Sequence, residues 1–597
     1  MARDWRFYGR QGELKKLNQF VNSGEKFSTL AIRGRRKVGK TALINHYRQI
    51  HQDGADRRRL IVCPLQRPVN LTHCFHETLL MAVNSADPAL LDGYIPHDNP
   101  HTNFTAMALY ILESGHILVL DEFQRIGYDG SKYLESVFQA HIDRLGDISA
   151  PRPEGWHPRL IVMGSEQQKL WEMFTHPTAP LYQQIWDVLH LKPWNFNEFK
   201  ETAKDQGWDG NPNRLLTLWT AYNGLPGHWQ RFAREKQLSD FTQISDDADW
   251  TRQFLAMEDS YRKLPDGPFH SQLEVELRAS DLAIIRWLAS RPSGYSTNTD
   301  LKDSDHCSAF AEIKTALQQE RPDEEISDDN VSEKVSDAIQ KRMSGEHLGL
   351  LAAHSPLNSE KSTKWSVSDN FAQFQLKIFN AGEVDEQWTD NENEITEMDR
   401  LAEMRALEGL GLESFAAHGF RELFNTGTDI IPSNQARRIW IRTHVERKGI
   451  AGDLDLMIIH QEKHPTSSRN HDGNRNFWIG SSKRTASEFY REKKDKYGDT
   501  TTALQRDLKR VDSFLQPLDC GNALTREHFK KKWRHEINFV VISHTFTRSD
   551  REEVTKILKY HQQNSDCDNG VRRFFAMTID DMMSGRGPQS LNLVPQA

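Results

Sequence analysis

The sequence predicts a multidomain α/β protein, and three observations carry that expectation. The chain has 597 residues, which at about 150 residues per domain is too long for one core. Short apolar runs alternate with helix-length amphipathic segments over residues 1–200 and again after 400, the pattern of strands covered by helices. Hydrophobic residues make up 37% and charged residues 27%, with 29 Phe and 15 Trp to bury, so the chain is globular rather than disordered.

Residues 1–200 contain four strand-like runs, STLAIRG, RLIVCPL, HILVLDE and RLIVMGS, separated by helical segments. Such units imply a mostly parallel sheet with both faces covered. Residues 201–265 are helical and Trp-rich, with no strand pattern, and suggest a lid. Over 266–382, helical stretches near 277–290, 308–319 and 329–343 precede two short strand candidates, GLLAAH and KWSVSD, which is the order of a winged helix. The acidic run 383–400 reads as a solvated connector. A second α/β domain is expected over 401–597: a helix in RALEGLGLESFAA, strands in RRIWIRTHVE, DLDLMIIH, NFWIGSSKR and INFVVISHTF, and a helix in TTALQRDLKRVDSFL. The polar loop at 460–476 would make the second and third of those strands a hairpin.

The strongest chemical signal is Gly34-Arg35-Arg36-Lys37-Val38-Gly39-Lys40-Thr41. Gly34 and Gly39 permit a tight loop whose amides, from Arg36 through Val38 onward, converge on phosphate oxygens at the start of a helix. Lys40 reaches the β- and γ-phosphates, and the Thr41 hydroxyl binds magnesium. The expected ligands are therefore ATP and Mg2+. Some eighty residues later a buried-strand run ends in Asp121-Glu122. Asp121 is expected to serve the metal and Glu122 to orient the attacking water as catalytic base. Ser165, ending another strand run, is placed to sense the γ-phosphate between those two motifs.

With Phe7-Tyr8-Gly9-Arg10, GRRKVGKT, LVLDEFQ, MGSEQ, APLYQQ and GLPGHW in hand, residues 1 to about 380 resemble the archaeal-type ATPase family of AAA+/STAND P-loop NTPases. The resemblance implies that Tyr8 and Arg10 lie beside the nucleotide base, that the lid closes over it, and that a winged helix follows, ending near Lys364–Phe371. It also implies homo-oligomers. The family often carries an arginine after its P-L-Y, whereas this chain has Gln183-Gln184. Lacking a finger there, it is expected to turn over slowly, as a switch rather than a motor.

In the same family the C-terminal region resembles the PD-(D/E)xK nuclease superfamily, a restriction-endonuclease-like α/β fold. Carried over residue by residue, the resemblance gives Glu408 in the first helix, Asp453 and Asp455 at a strand, and Lys483 closing the hairpin. Carboxylates would hold magnesium, and the lysine would position or help deprotonate water. The acid two residues before that lysine is replaced by Ser481, so Glu408 or Asp453 would have to supply it. Two readings stay open: an ATP-gated nuclease-like domain that binds or cleaves DNA in genome maintenance or phage defence, and an ATP-responsive scaffold with an inactive nuclease-like domain that recruits DNA or a protein partner.

The net charge of −8 confines any nucleic-acid contact to a local surface. Between Gly480 and His535 there are fourteen Lys and Arg against eight Asp and Glu. Lys493, Lys494, Lys496, Lys530, Lys531 and Lys532 are the expected phosphate contacts. The acids preceding the third helix of the winged-helix candidate suit a helix N-terminus rather than a DNA groove. Five scattered cysteines, Cys63, Cys74, Cys307, Cys520 and Cys567, form neither a disulfide framework nor a zinc pattern. No apolar run reaches 18 residues and the start lacks a signal-like core, so a cytoplasmic protein without a membrane span is expected.

Overall fold

The computed structural model describes residues 7–24, 28–52, 59–65, 71–94, 100–127, 139, 156–164, 170, 173–177, 179, 181, 185–208, 210–235, 238–262, 277–290, 296–297, 310–339, 351–354, 364–367, 370–378, much of 404–423, 438–447, 450–461, 475–483, 485–494, 500–515, 535–564 and 573–591. The acidic connector, Gln183, Gln184, Ser165, Lys496 and Lys530–Lys532 lie outside them.

The first unit contains α1 Gln11–Val21, β1 Ser28–Arg33, α2 Lys40–Gln52, β2 Leu60–Pro64, α3 Leu71–Ala86, α4 Pro100–Glu113, β3 Ile117–Asp121, β4 Arg159–Gly164 and β5 Asp187–His190. Its sheet runs β2-β3-β4-β1-β5 with every pair parallel. Because successive side chains face opposite ways, the strands split between two cores. Leu118, Leu120, Leu160 and Val162 pack with Phe75, Leu79, Phe104 and Met107 of α3 and α4. Ile117, Val119, Ile161 and Leu30 pack with Leu17, Phe20, Leu43 and Ile44 of α1 and α2. Each such buried side chain contributes on the order of 1.5–3 kcal/mol. The four expected strands are present; β5 was not anticipated, since Asp-Val-Leu-His is only four residues long and mostly half-buried.

The next segment is entirely helical: α5 Phe196–Asp205, α6 Pro212–Ala221, α7 Pro226–Glu235, α8 Leu238–Gln243 and α9 Asp247–Arg262. Asn195 and Glu198 form a reciprocal capping box that starts α5. Its core is aromatic, with Trp229, Trp250, Phe232 and Phe254 buried. There follow α10 Ala279–Ser290, β6 Ser296–Thr297, α11 Phe310–Glu320, α12 Asp328–Asp337, β7 Leu351–His354 and β8 Lys364–Val367. The expected β7–β8 hairpin is antiparallel, and β6 adds a third strand on the β8 side. Ser327 caps α12, whose first turn carries Asp328 and Asp329, the favourable place for acids.

The last unit has β9 Arg438–Arg447, β10 Ile450–Gln461, β11 Arg475–Lys483, β12 Glu492–Lys494, β13 Thr500–Thr502, α13 Ala503–Leu515, β14 His535–Ser543, α14 Arg548–Asn564, β15 Arg573–Thr578, α15 Ile579–Met583 and β16 Gln589–Ser590. The large sheet runs β16-β15-β14-β11-β10-β9. It is antiparallel on the β9–β10–β11 side and parallel across β11–β14–β15. One face, including Ile479, Phe539 and Val541, packs on Leu504, Leu508, Val554 and Leu558 of α13 and α14. The other, with Trp478, Val540 and Phe575, joins the core of the helical lid.

Helical residues within 404–423 join these units. Gly411 lies against Thr220 of α6, where a Cβ would come 1.9 Å from its hydroxyl. The Phe415 and Phe196 rings are 4.9 Å apart, and Phe420 lies 5.8 Å from Trp478 on β11. This segment therefore touches the lid on one side and the C-terminal sheet on the other.

Candidate functional sites

The loop between β1 and α2 wraps the N-terminus of α2, and its glycines are required locally. Gly39 has φ of 98°, and a Cβ on Gly34 would come 2.7 Å from the Leu191 carbonyl. Lys37 is also left-handed, at φ 64°. The Lys40 ammonium donates to the Gly34 and Arg35 carbonyls at 2.6 and 3.1 Å. The Thr41 hydroxyl donates to Asp121 at 2.8 Å, and the Glu122 amide donates to the other oxygen of Asp121 at 3.0 Å. Burial raises the Asp121 pKa, against the lowering influence of the Thr41 bond and of Lys40, while Glu122 adds to the rise. Beneath it, burial and the same carboxylate push the Cys63 thiol up to about 12, so Cys63 is an inert core thiol.

A cavity of about 690 Å³ opens above this loop, at the C-terminal edge of the parallel sheet. Tyr8, Arg10, Arg36, Lys37, Val38, Gly39, Lys40, Thr41, Asp121 and Glu122 all border it. Because β4 lies between β1 and β3, Ser165 follows a strand that separates the two motifs. Arg10 makes more bonds than its expected place beside a base requires: held at φ 63°, its guanidinium donates to the Lys192 and Val38 carbonyls at 2.5 and 3.4 Å. It thus ties the phosphate loop to the segment that leads into the lid.

The lid supplies the rest of the wall through Trp194, Pro226, Gly227, Gln230, Arg231, Arg234 and Tyr261. The Gly227 amide donates to the Lys37 carbonyl at 2.9 Å, a direct backbone link between α7 and the loop. Gly224 has φ of 65° and sits where a Cβ would be 2.2 Å from the Trp194 carbonyl. Arg231 pairs with buried Glu258 at 2.6 Å and lies 3.4 Å from the Tyr261 ring centre; Tyr222 also donates to Glu258, at 2.8 Å. Sequence reasoning missed Arg231 and Arg234. Their signal was a pair of basic residues three apart after Gly-Leu-Pro-Gly, on a helix whose partner face is unknown without the fold. His228 of the GLPGHW segment is buried, borders the cavity and stacks on Phe371 at 4.6 Å.

The second cluster forms at the end of β11. The β10–β11 pairing includes Leu456↔Gly480, which leaves Asp455 beside the Ser481-Ser482-Lys483 end of the hairpin. Asp455 Oδ2 accepts from the Ser482 amide at 2.7 Å and from Lys483 Nζ at 3.2 Å. Lys483 is also 3.2 Å from Asp507 Oδ2, which accepts from Ser481 Oγ at 2.6 Å. Burial disfavours the Lys483 ammonium, but Asp455 and then Asp507 outweigh that and raise its pKa. The ammonium is therefore held between two carboxylates.

Glu408, expected at this cluster, accepts a hydrogen bond from Thr217 of the lid at 3.0 Å. The contact follows from its place on the bridging segment, which packs on α6. Asp453 lies on β10 opposite His444. The carboxylate that does reach Ser481 is Asp507 of α13, which sequence reasoning did not name. Its signal was present: Leu504, Leu508 and Val511 form a buried stripe at helical spacing, and Asp507 interrupts it while only 6% exposed. Lys493 and Lys494 are exposed on β12.

Among the described residues no three or more His, Cys, Asp or Glu side chains are grouped to hold a metal ion by themselves. Magnesium does not need such a cage, since it keeps waters and substrate oxygens and takes one or two protein ligands. Buried Asp121 with exposed Thr41 fits it in the N-terminal site, and Asp455 with Asp507 offers hard oxygen donors in the C-terminal one.

The N-terminal part is a five-stranded parallel sheet whose glycine-rich loop opens α2. No family model matches the chain. An uncharacterized protein of Methanocaldococcus jannaschii, MJECL04, is 24% identical over 228 residues, 38% of this chain; the chain thus spans 44% of that relative's length. The Walker-type ATPase paby2304 of Pyrococcus abyssi is 16% identical, with a TM-score of 0.40 over 62% of this chain and 96% of its own. The Aeropyrum pernix ORC2 protein gives 16% identity and 0.39 over 62% and 92%. Among the described residues no helix is long and apolar enough to cross a membrane.

Proposed function

We propose that the protein is an ATP-binding and hydrolysing switch whose lid governs a C-terminal nuclease-like domain that binds or cleaves DNA. The observation that carries the first half is the convergence of Lys40, Thr41, Asp121 and Glu122 on one cavity. Amides and Lys40 would bind the triphosphate, Thr41 and Asp121 would hold Mg2+, and Glu122 would orient the attacking water. Magnesium supplies charge neutralisation to the phosphates when bound. Arg234 adds positive charge from the lid beside the Arg231–Glu258 pair, so lid position depends on what anion the cavity holds.

The second half rests on continuity. The Gly227–Lys37 bond joins loop to lid, Thr217–Glu408 and Phe196–Phe415 join lid to the bridging segment, and Phe420–Trp478 joins that segment to β11. The three helices and small sheet between lid and connector serve as a winged helix with a hinge or interaction role, and Lys493 and Lys494 contribute to a phosphate-binding surface. The setting we favour is cytoplasmic genome maintenance or phage defence, with self-association through the ATPase part. The second reading, a non-cleaving scaffold for DNA or a protein partner, is favoured by Ser481 standing two residues before Lys483 where the resembled pattern has an acid.

The test is ATP turnover with and without double-stranded DNA, run beside magnesium-dependent plasmid cleavage on the same preparation. DNA-stimulated turnover is expected, lost in Lys40→Ala. Turnover indifferent to DNA would break the proposed link between the two ends, and turnover without cleavage under any nucleotide condition would favour the scaffold.

A further inference from the structure

The C-terminal cluster departs from the pattern its sequence resembles at Ser481, a buried hydroxyl two residues before Lys483. In the resembled pattern a second carboxylate helps to hold a hard divalent cation beside the scissile phosphodiester. The structure brings one in from another element. Asp507 projects from α13 so that its Oδ2 is 2.6 Å from Ser481 Oγ. Asp455 Oδ2 and Asp507 Oδ2 each lie 3.2 Å from the same point, the Lys483 nitrogen. A buried charge on an apolar stripe is costly unless paired, and Asp507 stands between Leu504, Leu508 and Val511. Its other oxygen accepts from Arg510 at 2.8 Å.

We infer that Asp507 replaces the acid missing at position 481 and, with Asp455 and Lys483, completes a magnesium-dependent phosphodiester-hydrolysing site. This rests on the reading of the C-terminal domain as nuclease-like. In the reaction, a water oxygen forms a new bond to phosphorus, the bond from phosphorus to one ester oxygen breaks, that oxygen gains a proton, and the attacking water gives one up to solvent. Water is the sole co-reactant. Lys483, 3.2 Å from both carboxylates, would stabilise charge on the phosphate, and the two carboxylates would be the protein's metal ligands. Arg510, one turn along α13, lies 2.8 Å from Asp507 and would add positive charge for the polyanion.

Because Ser481 Oγ already touches the Asp507 carboxylate, the charge can be moved back by mutation. The full-length chain is compared as wild type, Asp455→Asn, Asp507→Asn and the double variant Asp507→Asn/Ser481→Asp. Three quantities are measured: plasmid cleavage with Mg2+, Mn2+ affinity by calorimetry without nucleotide, and melting temperature. Wild type should cleave and bind. Asp455→Asn and Asp507→Asn should each lose at least tenfold in both cleavage and Mn2+ affinity, and the double variant should recover both. Loss in Asp455→Asn with Asp507→Asn within twofold of wild type would overturn the role of Asp507 alone. A double variant that regains its melting temperature but neither cleavage nor Mn2+ binding would make Asp507 a structural ion-pair partner and equally overturn it. Wild type that neither cleaves nor binds Mn2+ would remove the nuclease reading itself.

Discussion

Both candidate sites are built around a buried or half-buried lysine, and they use it in opposite ways. Lys40 donates to two neutral carbonyls of its own loop and borders the cavity. Lys483 faces two carboxylates, so its charge is balanced within the protein and its pKa is raised rather than lowered. The first site is local: eight consecutive residues make the loop. The second is assembled from two strands and a helix. A phosphate site can therefore be recognised along the chain, whereas the other depends on which distant side chains the fold brings to one strand end.

Four changes break or sharpen this contrast. Glu122→Gln should keep ATP binding yet slow hydrolysis by about 10²–10⁴-fold, the usual worth of a positioned base, as read by steady-state phosphate release. Gly224→Ala forces a side chain into a left-handed position against the Trp194 carbonyl, and should cost about 1–3 kcal/mol in denaturant unfolding of the lid. Asp455→Asn leaves Lys483 with one carboxylate. The loss should be about 1–3 kcal/mol, below the 3–5 typical of fully buried pairs, because these side chains are 21% and 14% exposed. Thr217→Val removes the hydroxyl that reaches Glu408 and should cost roughly 1 kcal/mol. Its diagnostic effect is a smaller DNA stimulation of ATP turnover, with basal turnover unchanged.

The Asp455 variant also makes a pH prediction. Folding raises the Lys483 pKa, so the stabilisation it brings is complete below the unfolded value near 10.4 and is lost as pH rises through the folded value. Wild type should lose stability as pH rises above about 10.4, and Asp455→Asn should lose less over that range. Equal slopes in urea-unfolding series at those pH values would count against Asp455 as the principal partner of Lys483.

The legibility of the fold follows the same division. The four N-terminal strands were readable because each is a nearly continuous apolar run buried on both faces, and β3 is buried throughout. β5 was not, being short and half-buried. The β10–β11 hairpin followed from apolar runs flanking a polar loop. In the site, Gly34–Thr41 and Asp121-Glu122 were legible because backbone geometry and metal chemistry fix residue types at fixed spacing. Arg231, Arg234 and Asp507 were not, because each acts across a tertiary contact. Glu408 shows the converse: its position in the first helix suggested chemistry at β11, while packing of that helix on α6 turned its carboxylate to Thr217.

The central claim is that the cavity beside Lys40 holds a triphosphate with its divalent ion. Calorimetric titration of ATP with Mg2+ into wild type and Lys40→Ala tests it most directly. Saturable binding to wild type, weakened by about tenfold to a hundredfold or more in the variant, is the predicted result; absence of binding to wild type, or equal affinity in the two proteins, would contradict it.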